Sequence, residues 1–327
     1  MSTATTPRSR LKPDKPDEVL DITSSRRRIL ELLHKHRYMT PRLLAFAYSR
    51  DEGRNGRGFS HVRHELTELW HHGYAARHYW ASGPVGSGSP ELIYTITPKG
   101  AREALEPAAY SRDRHLIYRR IKEQRANFEH HLALAELELV LSHGATEWRV
   151  VGFTSDERRL RLRLKRRGGT EYGLQPDAWV LVEFANGQRT LLLVEVDIGR
   201  KNNPRIDQRF EDYGMVLSSR LEDLKKRYGV NNAIALFVEP DAGEAARLRA
   251  RAVGVLRQAT YAPRPYFLFW NRDEWFVEEH HERRQRTAGS TWRVRDWTVR
   301  VLRDPAEILT SCLVTGLNGK ARPLLRG

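Results

Sequence analysis

The chain has 327 residues, 40% of them hydrophobic, which is enough for two domains with real cores, and no uninterrupted apolar run approaches the ~20 residues of a membrane span. Lys and Arg outnumber Asp and Glu by 56 to 41, giving a net charge of +15, so the summed field attracts polyanions and nucleic acid is the leading partner. A single cysteine, Cys312, excludes an internal disulfide framework and a Cys-based zinc site, and fits a reducing, cytoplasmic setting.

Residues 1–21 open with Ser, Thr, Pro, Lys and Asp and carry no apolar h-region, so they read as a disordered tail rather than a secretory signal. Ile29, Leu30, Leu32 and Leu33 recur at helical spacing after Ser25 and predict a first helix. Thr40 followed by Pro41 signals a second helix start, because Thr caps orphan amides and Pro tolerates the first helical position. A Gly-rich basic stretch, Gly53 to Gly58, precedes Ser60, the expected cap of a third helix bearing Val62, Leu66, Leu69 and Trp70. Tyr74 to Trp80 and Leu92 to Ile96 then predict two strands joined by a Gly, Ser and Pro loop.

The string Tyr94-Thr95-Ile96-Thr97-Pro98-Lys99-Gly100 resembles the wing ending of bacterial winged-helix regulators. That resemblance implies a winged helix-turn-helix DNA-binding domain over residues 22–105, with its third helix in the major groove and phosphates held by helix starts and wing. It nominates Ser60, His61, Arg63, His64 and Thr67 on the helix, Arg54 and Arg57 before it, and Arg77 and His78 in the wing. The alternative is a protein-contact domain whose Arg residues keep a helix solvated.

Residues 106–128 form a basic linker helix, and Leu132, Leu134, Leu137, Leu139 and Val140 mark an apolar helix that also carries Glu129, Glu136 and Glu138. Strands follow over Glu147 to Phe153 and Leu160 to Leu164, the latter with Arg159, Arg161, Arg163 and Lys165 on one face. Pro176-Asp177 leads into a strand over Ala178 to Phe184, and Thr190 to Val196 make a near-continuous apolar strand ending in Glu195-Val196-Asp197. A helix over Ile206 to Tyr228, a strand over Asn232 to Val238, a helix over Glu244 to Gln258 and a strand over Tyr266 to Trp270 complete the pattern.

This layout resembles the PD-(D/E)xK restriction-endonuclease-like fold over residues 129–272, and implies an α/β nuclease-like domain. Such a motif places hard carboxylate oxygens from adjacent strands around Mg²⁺ or Mn²⁺, where the ion activates water and the scissile phosphate. Asp177 and Glu195 match the metal positions, with Glu136 or Glu129 as a further ligand. The family's lysine is replaced by Asp197, leaving Lys201, Arg200, Arg205 or Arg209 to supply a cation, so activity as a metal-dependent endonuclease stays open against a plain ion-pair network.

The whole arrangement, with His130-His131 and Glu195-Val196-Asp197-Ile198-Gly199, resembles the replication-relaxation family of plasmids and other mobile elements. The resemblance implies a DNA-binding protein acting with double-stranded DNA and with replication or mobilisation proteins, and a homodimer is a further expectation. A winged-helix transcriptional repressor is the remaining alternative. Residues 273–327 read as a basic, aromatic-rich extension in which Trp275, Trp292 and Trp297 interleave with Arg, suited either to nucleic acid or to a peripheral hairpin, with a flexible basic end after Gly316.

Overall fold

The structure is a computed structural model that describes residues 19–51, 58–80, 91–122, 128–144, 148–155, 162–165, 171–196, 206–257, 266–286, 292–302, 314–316 and 321–322. The chain is mixed α/β and divides into two compact units, residues 1–132 and 133–327.

In the first unit, α1 (Ser24–His36), α2 (Pro41–Asp51) and α3 (Phe59–His71) bury the apolar stripes that their spacing predicts. Ile29, Leu30, Leu33, Leu44, Val62, Leu66 and Leu69 are fully enclosed, each at 0% exposure. α1 is capped by Thr23, whose Oγ1 accepts from Arg26 N at 3.3 Å, with Ser25 inside the first turn. One cap differs from expectation. α3 begins after Gly58 without a side-chain cap, so Ser60 is a first-turn residue. At α2 the expected device is present, with Thr40 Oγ1 accepting from Leu43 N at 3.2 Å.

β1 (Ala75–Trp80) and β2 (Glu91–Ile96) form an antiparallel pair in the register Ala75 opposite Ile96, and Met39 bridges to Tyr94 beside it. The segment after β2 is locked by several contacts at once. Thr97 Oγ1 donates to the carbonyls of Gly73 and Tyr74 at 2.8 and 2.9 Å and accepts from Gly100 N at 3.1 Å, which starts α4 (Pro98–Ala104). Lys99 donates to His72 O at 3.0 Å and lies over the Tyr74 ring. Gly100 has no room for a side chain, because an added Cβ would stand 2.2 Å from Tyr74 O. α5 (Pro107–Lys122) follows, and the first turn of α6 (Phe128–Gly144) sets the Phe128 ring 4.9 Å from that of Tyr38.

The second unit is built on one mixed sheet. Its five longer strands run in the order β9 (Tyr266–Asn271), β8 (Asn232–Glu239), β7 (Arg189–Val196), β6 (Ala178–Phe184), β3 (Trp148–Thr154). β7, β8 and β9 are parallel neighbours, while β6 and β3 join antiparallel. β7 and β8 are apolar at nearly every position because both faces are covered, as parallel strands require. On one face Leu192, Val194, Val180, Val182 and Leu236 pack against Leu137, Val140 and Leu141 of α6. On the other, Leu191, Leu193, Ala235 and Phe237 pack against Phe210, Tyr213 and Leu217 of α7 (Ile206–Ser219) and Leu248 of α9 (Ala242–Arg257). Gly187 takes φ +79 in the tight turn from β6 to β7, a left-handed conformation that favours glycine.

The hairpin offered as one reading of the C-terminal extension is present, β10 (Phe276–Arg286) with β11 (Trp292–Leu302), as a separate sheet. Three details depart from the sequence reading. The single helix expected over Ile206 to Tyr228 is broken at Arg220 into α7 and α8 (Leu221–Tyr228). An unexpected strand, β5 (Glu171–Leu174), pairs with β4 (Leu162–Lys165) in a sheet of their own. Finally, the end expected to be flexible supplies β12 (Val314–Gly316) and β13 (Ala321–Arg322), and β12 extends the main sheet against β9. Backbone pairing to an open sheet edge needs little side-chain pattern, and so leaves little trace in composition.

Candidate functional site

The outward face of α3 carries Ser60, Arg63 and His64, all exposed, with Thr67 half-buried one turn on, its hydroxyl donating to Arg63 O at 2.8 Å. The helix is therefore not enclosed around its circumference. His61 differs from its neighbours. It turns inward, with Nε2 3.0 Å from Ser25 Oγ, and Ser25 in turn accepts from the Tyr48 hydroxyl at 3.0 Å. Glu65, on the side of α3 turned towards α1, is paired with Arg26, whose Nε donates to it at 2.6 Å, while Glu68 stands one turn after His64. Phe59 is exposed at the helix start, with the Arg42 guanidinium 4.8 Å above its ring.

Arg77 and His78, on β1, are engaged within the fold. The Arg77 guanidinium lies 3.3 Å from the centroid of the Trp70 ring, a cation–π contact. Burial pushes the Tyr94 hydroxyl above its ordinary pKa, opposed by the charge and hydrogen bond of Arg77 and by the charge of Arg63. His78 sits beside aromatic rings, 5.1 Å from Phe128 and 6.3 Å from Tyr38, and is half-buried there. Arg54 and Arg57 lie outside the described residues.

In the second unit Asp177 and Glu195 come together. Antiparallel pairing of β6 and β7 sets Ala178 opposite Val194, so the residue before β6 meets the end of β7. Asp177 N donates to Val194 O at 2.9 Å, and Val196 N donates to Asp177 Oδ2 at 2.9 Å. Glu195 alternates with Leu191 and Leu193 on the face covered by α7. There its Oε1 accepts from the Tyr213 hydroxyl at 2.5 Å and from Arg209. Arg209 and Tyr213 are four residues apart on α7, hence on one side of it.

Burial raises the Glu195 carboxyl well above the ordinary carboxylate range, and the Asp177 charge adds to the rise; Arg209 and Tyr213 oppose it. Burial likewise raises the Tyr213 hydroxyl, with the Glu195 charge adding to it. For Arg209 burial acts downward but is outweighed by the charges of Glu195, Tyr213 and Asp177, so its pKa lies above the usual value. The physical cause throughout is the low polarity of the α7 side of the sheet, which penalises each isolated charge and rewards each pair.

Glu136 does not join this pair. It stands on α6, which covers the opposite face of the sheet, and its Oε2 accepts from Arg272 Nε at 2.7 Å and lies 2.6 Å from Arg272 Nη2, in a buried ion pair. Asp197 and Lys201 lie outside the described residues, as do Arg200 and Arg205. Among the described residues no group of three or more His, Cys, Asp or Glu side chains could hold a metal ion. Among the described residues the site thus brings together two carboxylates, of which Glu195 already carries a guanidinium, while Glu136 is paired with Arg272. Sequence reasoning named Arg209 as a substitute cation but missed Tyr213; their four-residue spacing on an amphipathic helix was the available signal.

A family model described as replication-relaxation matches residues 30–234, a span running from α1 through the acidic pair into β8. The chain belongs to the replication-relaxation family. No curated relative and no solved structure matches this replication-relaxation protein. Within the family match fall the outward face of α3, the locked segment after β2, Asp177, Glu195, Arg209 and Tyr213. The hairpin β10–β11 falls outside it. Among the described residues no helix is long and apolar enough to cross a membrane.

Proposed function

We propose that this replication-relaxation protein binds double-stranded DNA of a plasmid or other mobile element through a winged helix-turn-helix, with α3 as the recognition helix and a PD-(D/E)xK-like second unit serving as a scaffold. The observation that carries the reading is the solvent face of α3, where Ser60, Arg63 and His64 stand exposed while Glu65 is paired with Arg26. A helix of this polarity, packed on two others and followed by an antiparallel hairpin, suits the major groove, where exposed Arg and Ser side chains meet base edges and phosphates. Phe59 with Arg42 adds an apolar contact of the kind that touches a thymine methyl, beside a phosphate-binding cation. His61 and His78 serve the fold in this reading, since the first is bonded to Ser25 and the second packs among rings.

The test is duplex affinity as a function of salt. Each phosphate contact adds about 0.9 to the slope of log affinity against log salt. Arg63→Ala and His64→Ala each weaken binding, by about 1–3 kcal/mol where the side chain meets a base. A flat salt slope in the parent, or unaltered affinity in both variants, refutes the reading.

A metal-dependent endonuclease is the second reading, favoured by the meeting of Asp177 with Glu195. Calorimetry with Mg²⁺ and Mn²⁺ on the parent, Asp177→Ala and Glu195→Ala proteins decides it: heats that are the same in all three remove both carboxylates from any coordinating role.

A further inference from the structure

α5 has two distinct sides. Tyr110, Asp113 and Ile117, at spacings of three and four, turn inward, with Ile117 fully buried and the other two half-buried. Ser111, Arg114, His115 and Tyr118 recur at the same spacings and are all exposed, so they form one outward stripe about 10 Å long, at ~1.5 Å per residue.

Charge is sorted in the same way. The helix holds Arg112, Arg114, Arg119, Arg120 and Lys122 against a single acid, Asp113. That acid is taken up away from the stripe: His34 Nε2 of α1 lies 3.4 Å from its Oδ2, and Arg112 Nε donates to its Oδ1 at 3.1 Å. The stripe itself carries no carboxylate, and Glu106, exposed just ahead of the helix, bounds it at its start. At the other end an aromatic ring stands in solvent. Tyr118 is 45% exposed, and Arg114, one turn earlier, sets its guanidinium 5.8 Å from the ring centroid. At the outer limit of cation–π range such a contact steadies the ring without covering it. A lone exposed aromatic is ordinary. Here the ring has a cation at its side and no acid on its stripe, so it offers a face for a base while the cation meets the neighbouring phosphate. Bases in a duplex are stacked on one another and present edges to a protein, so a duplex could use Arg114 but not the Tyr118 ring.

We propose that the outward stripe of α5 is a contact for single-stranded DNA, with Tyr118 stacking on a base and Arg114, flanked by Ser111 and His115, binding the backbone. The proposal goes beyond the duplex reading, since it concerns another element and another form of nucleic acid. The rival account is a solvated helix face on which Arg114 and Tyr118 are an i, i+4 pair that supports the helix alone.

The experiment measures affinity over a range of salt for a thymidylate oligomer, which forms no duplex, and for a duplex, in the full chain and in Tyr118→Leu, Tyr118→Phe, Arg114→Gln and Arg114→Lys. Loss of a stacked base should weaken single-strand binding about 5- to 150-fold in Tyr118→Leu, whereas Tyr118→Phe keeps the ring and should stay near the parent. Arg114→Gln should lower the slope of log affinity against log salt by about 0.7, the value per phosphate on a single strand, and Arg114→Lys should keep it. Duplex affinity should be the parent's in Tyr118→Leu. Circular dichroism checks the fold, and should Tyr118→Leu unfold, the slopes of the two Arg114 variants decide. Unaltered single-strand affinity in Tyr118→Leu, or an unaltered slope in Arg114→Gln, overturns the proposal, as does a parent that binds no thymidylate oligomer at any salt. The α3 reading is judged separately, on duplex binding by the parent. Equal weakening on both forms of DNA in Tyr118→Leu would make α5 a duplex contact and also overturn the proposal.

Discussion

Gly100→Ala is the sharpest test of how the first unit is held together. In a helix this change ordinarily stabilises by about 0.5–1 kcal/mol, because glycine loses the most conformational freedom on folding. At Gly100 the added methyl would stand 2.2 Å from Tyr74 O, 3.0 Å from Leu30 Cδ2 and 3.1 Å from Ile96 Cγ1. The leucine can give way, but the carbonyl is fixed from both sides, since it accepts from Thr97 Oγ1 at 2.9 Å and from Thr97 N at 3.1 Å. Overpacking of this kind costs about 1–3 kcal/mol, and each hydrogen bond strained by the carbonyl's retreat about 1 kcal/mol more. After the helix-propensity gain is subtracted, the net loss is about 2 kcal/mol, or roughly 30-fold in the opening equilibrium. Gly254 on α9 is the control, because a Cβ there meets nothing within 4 Å. Amide exchange read by mass spectrometry over residues 24–104 should quicken in Gly100→Ala, while Gly254→Ala should raise the denaturation midpoint of the second unit. Equal protection of residues 24–104 in Gly100→Ala and parent would refute the argument that the locked segment dictates glycine.

The buried acids give two further predictions. Because the Glu195 carboxyl is raised in the folded protein, the folded state keeps a proton that the unfolded chain releases; stability therefore falls as pH rises from the ordinary carboxylate value towards the raised one, and Glu195→Gln should flatten that fall. Urea titrations from pH 4 to 9 check it, and parallel pH profiles for the two proteins would contradict it. Glu136→Ala leaves Arg272 buried without its carboxylate and should cost about 3–5 kcal/mol, whereas Glu136→Leu combined with Arg272→Met should recover most of the loss. A double variant no more stable than Glu136→Ala would show that the pair is held for more than charge compensation.

The sequence made the core elements legible because their burial is periodic. Ile29, Leu30 and Leu33, or Val62, Leu66 and Leu69, announce a helix face before any coordinates exist, and the unbroken apolar run from Leu191 to Val194 announces a strand covered on both sides. Asp177 and Glu195 were legible for a related reason, since two strands joined by a short Gly187 turn must pair antiparallel and bring their far ends together. What the sequence could not carry was the choice among partners of equal chemistry. Glu129, Glu136 and Glu138 all sit on or beside an apolar stripe, and only the packing of Trp270 and Trp275 brings Arg272 to Glu136. Likewise His61 and His64 differ by three positions on one helix, yet one is bonded to Ser25 and the other is exposed, a difference set by where α1 crosses α3. Short edge strands such as β5 and β12 escape notice because backbone pairing alone defines them.

The state of the acidic pair follows from a competition that the geometry lets one weigh. A divalent ion needs both carboxylates ionised and their oxygens turned towards a common centre. Here Asp177 spends Oδ2 on Val196 N, and Glu195 spends Oε1 on Arg209 and Tyr213. A cation with a fixed stem is thus already supplied by α7, and it comes without the cost of dehydrating a free ion. Burial beside Asp177 further favours a proton on Glu195 over full ionisation. Arg209 is therefore the residue on which the two functional readings divide. If the pair only braces α7 against the sheet, Arg209→Met should destabilise the protein and raise the Glu195 pKa further without creating metal affinity. Tight Mg²⁺ or Mn²⁺ binding appearing in Arg209→Met would instead identify this arginine as the stand-in for an ion that the carboxylates are able to hold.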